Sequence, residues 1–329
     1  MSVHKGRVSI IIVNCNGKAL LENCLASCTV QSYRDFEMII VDNGSSDGSQ
    51  DFVRTAYPRA ALIENKNNTG FAPAANQGIE VSCGEFVALL NNDTRVDREW
   101  VSSLVKAIRS DEIIGSCASK QMDFSRADII DAAGLVLFRG GYAGSRGHAE
   151  KDEGQFEARE FVFGCHGASA FYRKAMLDEI GLFDEDYFAY NEEFDLALRA
   201  QLCGWKCVYV PEAVVFHMGG ATRARQDEDF RLFQMERNRL CTIIKGYPLA
   251  MLCYYSLFLA KYELDAFFRL LRRGTTTFLR ARFDCIRLLP RMLKKRRDIQ
   301  RTRTITHRGF RELVTVPPIE KGDTGVCRV

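Results

Sequence analysis

Three apolar runs in the first ninety residues each stop abruptly in a polar cluster, and that pairing constrains the fold more than any other feature of the chain. Val8–Val13 (VSIIIV) ends at Asn14-Cys15-Asn16-Gly17. Met38–Val41 (MIIV) ends at Asp42-Asn43-Gly44-Ser45-Ser46-Asp47-Gly48, and Phe86–Leu90 (FVALL) ends at Asn91-Asn92-Asp93. Short runs that are apolar at nearly every position read as strands buried on both faces. Ala61–Glu64 is a further short strand. Leu21, Cys24, Leu25 and Cys28 recur at i, i+3, i+4 and i+7, one face of a helix, and Ala72–Val81 also reads as helical. Strand and helix alternating at this spacing predict an α/β chain with a mostly parallel central sheet flanked by helices. Ligands of such sheets lie beyond the carboxyl ends of the strands. Val13, Asn14, Asn16, Asp42, Ser45, Asn91 and Asn92 therefore become candidate ligand-binding residues.

Composition narrows the class. Of 329 residues 47% are hydrophobic and 26% charged, with only 7 Pro, which excludes disordered, collagen-like and mucin-like chains. The 12 Cys are irregularly spaced and form no CxxC. Cys24/Cys28 and Cys203/Cys207 stand one helical turn apart, a spacing expected of buried packing rather than of a metal site. The N-terminal MSVHKGRVSIIIVNCNG is too short and too quickly polar for a secretory signal, so a reduced, cytoplasmic protein is expected. The formal net charge of +3 conceals an asymmetry: from Arg269 to Arg311 there are 15 Lys and Arg against two Asp, so the rest of the chain is acidic. A basic tail of this kind suits an anionic surface.

Residues 120–160, rich in Gly and charge (RGGYAGSRGHAEKDEGQ), read as a mobile loop, with Gly140–Gly154 able to close over a ligand. Order is expected to return at Phe161–Gly164, in a helix near Arg173–Ile180, and in a strand at Cys207–Val210 leading to Val214–His217. Beyond about residue 226 the pattern is helical. Tyr247–Ala260 is apolar for 14 residues, short of the roughly 20 that span a bilayer.

Several clusters can carry chemistry, each beside a plainer role. A carboxylate at Asp42 can accept the imide N–H of uracil or thymine, or a ribose hydroxyl; an Asx-rich turn capping the next helix is the alternative. Asp93 can hold Mg²⁺ or Mn²⁺ against a diphosphate, or cap a helix. Glu192, Glu193 and Asp195 crowd three carboxylates into four residues. Mutual repulsion raises at least one pKa, as a general base requires, although acids also favour helix N-termini. His217 is either a structural histidine or a neutral imidazole ligand.

Taken together, VSIIIVNCNG, IIVDNGSSDGS, NNTGFAPAANQGI, GEFVALLNNDTRV, GLFDEDYFAYNEEFDLALRA and VVFHMGGAT, in this order, resemble family 2 glycosyltransferases over about residues 7–245. The bacterial rhamnosyltransferase-like branch is the most similar. The resemblance implies a GT-A nucleotide-diphospho-sugar transferase fold with a C-terminal helical extension, a divalent metal and inversion at the anomeric carbon. It implies that Asp42 binds the nucleotide base and that Asn68, Gly70, Phe71 and Asn76 form the donor segment. Asp93 matches the last acid of the D-x-D-type metal motif, and His217 the late histidine that joins the metal or diphosphate. Glu193 stands at the position of the base, with Glu192 and Asp195 beside it. Three departures stand out. Asn91-Asn92-Asp93 keeps one carboxylate of the metal motif, Cys15 replaces a frequent Tyr, and Glu193 replaces a usual Asp.

The domains expected are a catalytic unit over 1–225, with a nucleotide-sugar half to about 110 and an acceptor half from 111, and a helical, Arg-rich region over 226–329. The activity expected is transfer from dTDP-rhamnose, or else from UDP-galactose or UDP-N-acetylglucosamine, to a glycan or polyprenyl-diphosphate-linked acceptor in cell-surface polysaccharide assembly. The Arg-rich region would dock the protein peripherally on the inner face of the plasma membrane or support a homodimer. A glycoside hydrolase would leave Asp42 and Asp93 without roles. A nucleotidyltransferase would want a basic phosphate loop where Asn14–Gly17 stands. Nucleic-acid binding leaves the first 245 residues unexplained. A non-catalytic sugar-nucleotide-binding scaffold is the rival from a different class.

Overall fold

The structure, a computed structural model, describes residues 3–219 and 227–315. The first half alternates as its apolar runs dictate: β1 (His4–Asn14), α1 (Lys18–Thr29), β2 (Phe36–Asn43), α2 (Ser49–Ala56), β3 (Ala61–Asn65), α3 (Phe71–Val81), β4 (Gly84–Asn91), β5 (Thr94–Val96) and α4 (Trp100–Ile108). There follow β6 (Ile114–Asp123), β7 (Ile130–Ala132), β8 (Leu135–Phe138), β9 (Tyr142–Ser145), β10 (Glu160–Val162), β11 (Ser169–Arg173), α5 (Lys174–Ile180), α6 (Glu192–Leu202) and β12 (Lys206–His217). The remainder is α7 (Glu228–Gly246), α8 (Leu249–Tyr254), α9 (Ser256–Arg272), α10 (Thr277–Thr302), α11 (His307–Glu312) and β13 (Val314–Thr315).

Eight strands run in the order β10-β12-β6-β11-β4-β1-β2-β3, with β5 added on β12 and β7 on β6. β1 pairs in parallel with both β2 and β4, β2 with β3, and β12 with β6, while β11 lies antiparallel between β4 and β6. The alternation of side chains across a strand then divides the core. Ile10, Ile12, Ile40, Phe86 and Leu90 pack under α1 and α4, and Ile11, Ile39, Val41, Val87 and Leu89 pack under α3, α5 and α6. Burial on both faces is why these runs stay apolar up to their ends, with Ser9 the exception in β1, buried and donating to Glu37 at 2.6 Å. Cys24, Cys28 and Cys207 are buried as expected, whereas Cys203 lies nearer the surface.

The region expected to be a mobile loop is not one. β8 and β9 form a hairpin that joins β13 in a separate three-stranded sheet. Leu135 and Leu137 alternate into a third core with Phe194, Leu198, Ile243 and Tyr247. The turn at Gly140 and Gly141 packs against α7 and α9, where a Cβ would meet Ile243, Leu259 and Tyr262, and the rest of the segment folds back onto β7 through the His148–Asp131 contact, so Gly140–Gly154 is built into the fold and is not a free flap. The expected domain division near residue 225 falls at 220–226, outside the described residues. On its far side α7 packs along α6, and α10 packs along α7. Among the described residues no helix is long and apolar enough to cross a membrane.

Candidate active site

The parallel register sets the carboxyl ends of β1, β2 and β4 side by side: Asn14 is opposite Asp42, and Val13 is opposite Asn91. Side chains then link those ends. Asp42, 1% exposed, accepts from Asn14 Nδ2 at 3.1 Å, the Ser45 N–H at 2.9 Å and Gln50 Nε2 at 2.7 Å. Asn14 Oδ1 accepts from Asn92 Nδ2 at 2.7 Å. Asn16, at φ 50°, donates its N–H to Ser45 Oγ and accepts the Ser46 N–H, each at 2.8 Å, which ties the first strand's turn to the second's. Gly17 allows this contact, because a Cβ there would stand 2.3 Å from Asn92 Nδ2.

Asn68 sits at the mouth of the same turn, where its Oδ1 accepts from Asn43 Nδ2 at 2.9 Å and its Nδ2 approaches Cys15 Sγ at 3.6 Å. Gly70, at φ 94°, admits the Phe188 carbonyl, which a Cβ would meet at 2.4 Å; the Phe71 N–H donates to that carbonyl at 2.6 Å. Phe71 packs edge-on against Phe183. Asn76 lies elsewhere: its amide holds the backbone of Phe183 from both sides, at 3.0 Å each, and so anchors a loop rather than facing the cleft.

Beyond Asn92 the polar line continues through Asp93, which is 4% exposed. His217, at the end of β12, places Nε2 3.4 Å from Asp93 Oδ1 and Nδ1 2.8 Å from Asp131 Oδ2. The Asp93 contact is an ion pair without hydrogen-bond geometry, and Oδ1 has no hydrogen-bond partner among the described residues. Burial disfavours the imidazolium of His217, yet the two flanking carboxylates overcome it and push its pKa up to about 9. Burial also opposes ionisation of Asp131, but hydrogen bonds from His148 and His217 outweigh it and hold this carboxyl well below the usual range. His166, 6.2 Å from His217 between ring centroids, is drawn by burial down to about 4.

The turn that carries His166 leads to the acids of α6. Asn91 donates its N–H to the Ala168 carbonyl at 3.0 Å. A Cβ on Gly167 would lie 3.7 Å from Glu193 Cδ. Glu192 is buried with Oε2 unpartnered, and Glu193 is half-buried. Burial pushes both carboxyls up, Glu192 the further because the charge of Glu193 adds to it. Carboxyls this close titrate together as a pair, not independently. Asp195 is different in kind. Its carboxylate is clamped by Arg199 Nε and Lys245 Nζ, each at 2.9 Å, with both partners buried.

The acids reach their positions through strained backbone. Tyr190 and Asn191 both have positive φ, 69° and 65°, a conformation costly for residues with a Cβ. Fully buried Asn238 of α7 holds them by donating to the Ala189 carbonyl at 2.9 Å and the Tyr190 carbonyl at 2.7 Å. Asp131, His166, Asn238 and Lys245 were not singled out in the sequence. Asp131 stands in the three-residue strand β7 and His166 in the turn before β11, neither with a spacing relation to His217, and only the pairing of β7, β11 and β12 with β6 brings them together.

The donor set suits a divalent ion. An unpartnered buried carboxylate oxygen faces an imidazole whose other nitrogen is fixed by a second carboxylate, as metal-binding histidines usually are. Among the described residues no three His, Cys, Asp or Glu converge as a complete metal site.

Comparison with known proteins agrees with this geometry. Residues 9–181 match the family model described as Glycosyl transferase family 2. N-acetylglucosaminyl-diphospho-decaprenol L-rhamnosyltransferase of Mycobacterium tuberculosis is 27% identical over 218 residues, spanning 60% of this chain and 71% of that protein. The mannosyltransferase PcManGT from Pyrobaculum calidifontis, solved with GDP-Man and Mn²⁺, superposes with a TM-score of 0.52 at 17% identity, over 90% of this chain and 87% of that one. S. aureus TarS 1–349 superposes with a TM-score of 0.54 at 16% identity, over 90% and 89%. The solved structures speak to the fold, which is of the GT-A type. Motif order, sheet topology and the match over more than half the chain lead to one conclusion: this chain belongs to glycosyl transferase family 2.

Proposed function

We propose that the chain moves a sugar from a nucleoside-diphosphate donor, dTDP-rhamnose in the first instance, to a hydroxyl of a glycan carried on a polyprenyl diphosphate, with inversion at the anomeric carbon. The observation that carries this reading is the continuous polar line Asp42–Asn14–Asn92, then Asp93–His217, then the 165–168 turn and Glu193. Base recognition, diphosphate and proton acceptor would lie along it in the order that a nucleotide sugar presents them. The rhamnosyl donor and diphospho-decaprenol acceptor in the name of the mycobacterial relative support the choice. UDP-galactose and UDP-N-acetylglucosamine are the alternative donors, since Asp42 would meet uracil and thymine through the same imide N–H.

In this mechanism Glu193 takes the proton from the acceptor hydroxyl as that oxygen attacks C1. The bond from C1 to the diphosphate breaks on the opposite face, and its electron pair leaves with the diphosphate. Glu192, buried and neutral, spares Glu193 a second negative charge alongside. Asp195 holds α6 in place and takes no proton. Asp93 and His217 would hold Mg²⁺ or Mn²⁺, with Asp131 fixing the ring so that Nε2 faces the ion. When bound, the metal supplies positive charge against the leaving diphosphate.

Thermal denaturation with a nucleoside diphosphate tests the metal assignment. A ligand at about 100 times its Kd adds roughly 2.7 kcal/mol, and the gain should require Mn²⁺ in the wild type. Asp93→Ala should lose the metal-dependent part. An equal shift with and without EDTA would remove Asp93 and His217 from this role.

Membrane contact is part of the same proposal. α9 leaves Leu257, Leu264, Phe268 and Leu271 uncovered at helical spacing, and α10 leaves Leu279, Phe283, Ile286 and Leu293, with Leu257 82% and Phe283 66% exposed. Exposed Arg280, Arg287, Lys294 and Arg297 flank the second stripe. Apolar stripes edged with cations suit the headgroup plane of an anionic bilayer. Not every basic residue of the region is available: Arg282 pairs with Glu236 and Glu263, and Arg296 donates to the carbonyls of Ile244 and Tyr247. The full chain should float with phosphatidylglycerol vesicles, and the double variant Phe283→Glu, Ile286→Glu should not. Equal flotation of both would end the role of α10.

A further inference from the structure

A second polar site lies on the other side of the acid-bearing loop, between α7, α9 and β9. Its cavity of about 90 Å³ is walled by Arg231, Arg239, Arg269 and Arg273, with Tyr262, Asn191 and the carboxylate of Glu236. None of these arginines belongs to the line that runs from Asp42 to Glu193.

Two guanidiniums of this wall are incompletely paired. Arg239 is 2% exposed, pairs with Glu263 at 2.7 Å, donates to the Gly140 carbonyl at 2.5 Å and lies 3.6 Å from the centre of the Tyr262 ring. Among the described residues its Nε nevertheless has no hydrogen-bond partner, nor has Nη2 of Arg269. A buried guanidinium N–H without an acceptor is costly, and here two of them stand in the wall of one cavity. The carboxylates at hand are already shared. Glu236 and Glu263 both serve Arg282, and Glu228 serves Arg273 at 3.1 Å. What completes such a wall is a compact anion with several acceptor oxygens, which arginine forks bind in pairs.

Position selects the anion. Asn191 lines the cavity, and the next residue opens α6 with Glu192 and Glu193. α9 turns Tyr262 and Arg269 toward the cavity, with Arg273 at its C-cap, and leaves Leu257, Leu264, Phe268 and Leu271 exposed. The cavity therefore stands between the proton acceptor and the apolar surface. We propose that this arginine-walled pocket binds the diphosphate of the lipid-linked acceptor, holding its first sugar toward Glu193 while the prenyl chain follows α9 to the bilayer. The proposal rests on the acceptor reading given above and deepens it.

Calorimetric titration of the full chain, with dTDP and Mg²⁺ already saturating the donor side, tests it. Inorganic pyrophosphate should still bind, farnesyl diphosphate should bind more tightly, and Arg269→Gln should weaken both at least tenfold without changing dTDP affinity. Arg273→Gln, at a half-exposed position that folding tolerates, should act in the same direction. In turnover, Arg269→Gln should raise KM for a prenyl-diphosphate-linked acceptor while leaving kcat near wild type. Pyrophosphate binding that excludes farnesyl diphosphate would make this a free-anion site and overturn the assignment. If the wild type glycosylates a lipid-linked acceptor and Arg269→Gln changes neither affinity nor KM, the pocket assignment falls and the acceptor reading stands. If the wild type neither binds farnesyl diphosphate nor glycosylates a lipid-linked acceptor, both fall.

Discussion

Glu193→Gln is expected to lower sugar transfer by about 10²–10⁴-fold, the usual contribution of a positioned general base, while leaving donor binding intact. The amide keeps the volume and hydrogen-bonding reach of the carboxyl beside Gly167, so the site should not collapse. What it loses is the capacity to accept a proton. The pH profile carries a second signature. Burial raises the proton affinity of the Glu192–Glu193 pair above that of an ordinary carboxyl, and a base acts only when deprotonated. Wild-type activity should therefore rise with pH through the raised apparent pKa of the pair, and the residual activity of the variant should lack that limb. Wild-type turnover in Glu193→Gln would move the proton to Glu192. Asp195 could not inherit it while Arg199 and Lys245 hold both its oxygens.

The second large effect is on stability. Lys245, 1% exposed, bridges Asp184 and Asp195 beneath the acid-bearing helix and lies 4.6 Å from the centre of the Tyr187 ring. Lys245→Met would take one of two cations from each of two buried carboxylates, leaving Asp184 to Lys295 and Asp195 to Arg199, and breaking a buried pair costs about 3–5 kcal/mol. For a chain of this size that corresponds to a fall in Tm of about 5 °C. Acid sensitivity should change as well. Lys245 and Lys295 overcome the burial of Asp184 and hold its pKa at about 2, below the ordinary 3.8. A depressed carboxylate stabilises the fold above its unfolded pKa and stops doing so as pH falls through its folded one. The wild type should thus lose stability between about pH 4 and pH 2, and the variant should lose much less over that interval. An unchanged Tm in Lys245→Met would mean that the bridge contributes nothing net.

The half of the site nearest the N-terminus was legible because its signal is local. VSIIIV, MIIV and FVALL can only be strands buried on both faces, and the first polar residue after each is already where the sheet delivers it. Hence Asn14, Asp42 and Asn92 were found by where their runs stop, and the structure joins them side chain to side chain. The acceptor half depends on pairings that no short window contains. β8 and β9 are four residues each, bounded by glycines and charges, and exist because Leu135 and Leu137 find a core made by α6, α7 and α11. Asp131 reaches His217 only because β7 and β12 both pair with β6. Glu192, Glu193 and Asp195 look equivalent as a string of acids. Helical phase separates them, turning Asp195 down onto Lys245 and leaving Glu193 beside Gly167. The basic tail illustrates the same limit: charge count does not reveal that Arg282 and Arg296 point inward.

The most direct measurement is a transfer assay of the wild-type chain with dTDP-rhamnose, UDP-galactose and UDP-N-acetylglucosamine, Mn²⁺, and an N-acetylglucosaminyl-diphospho-prenol acceptor, with product mass and anomeric configuration read together. One donor should yield an acceptor heavier by a single sugar residue, linked with configuration opposite to that of the donor. Stabilisation by a nucleotide sugar without any transferred sugar, across every donor, would contradict this account and leave a sugar-nucleotide-binding scaffold in its place.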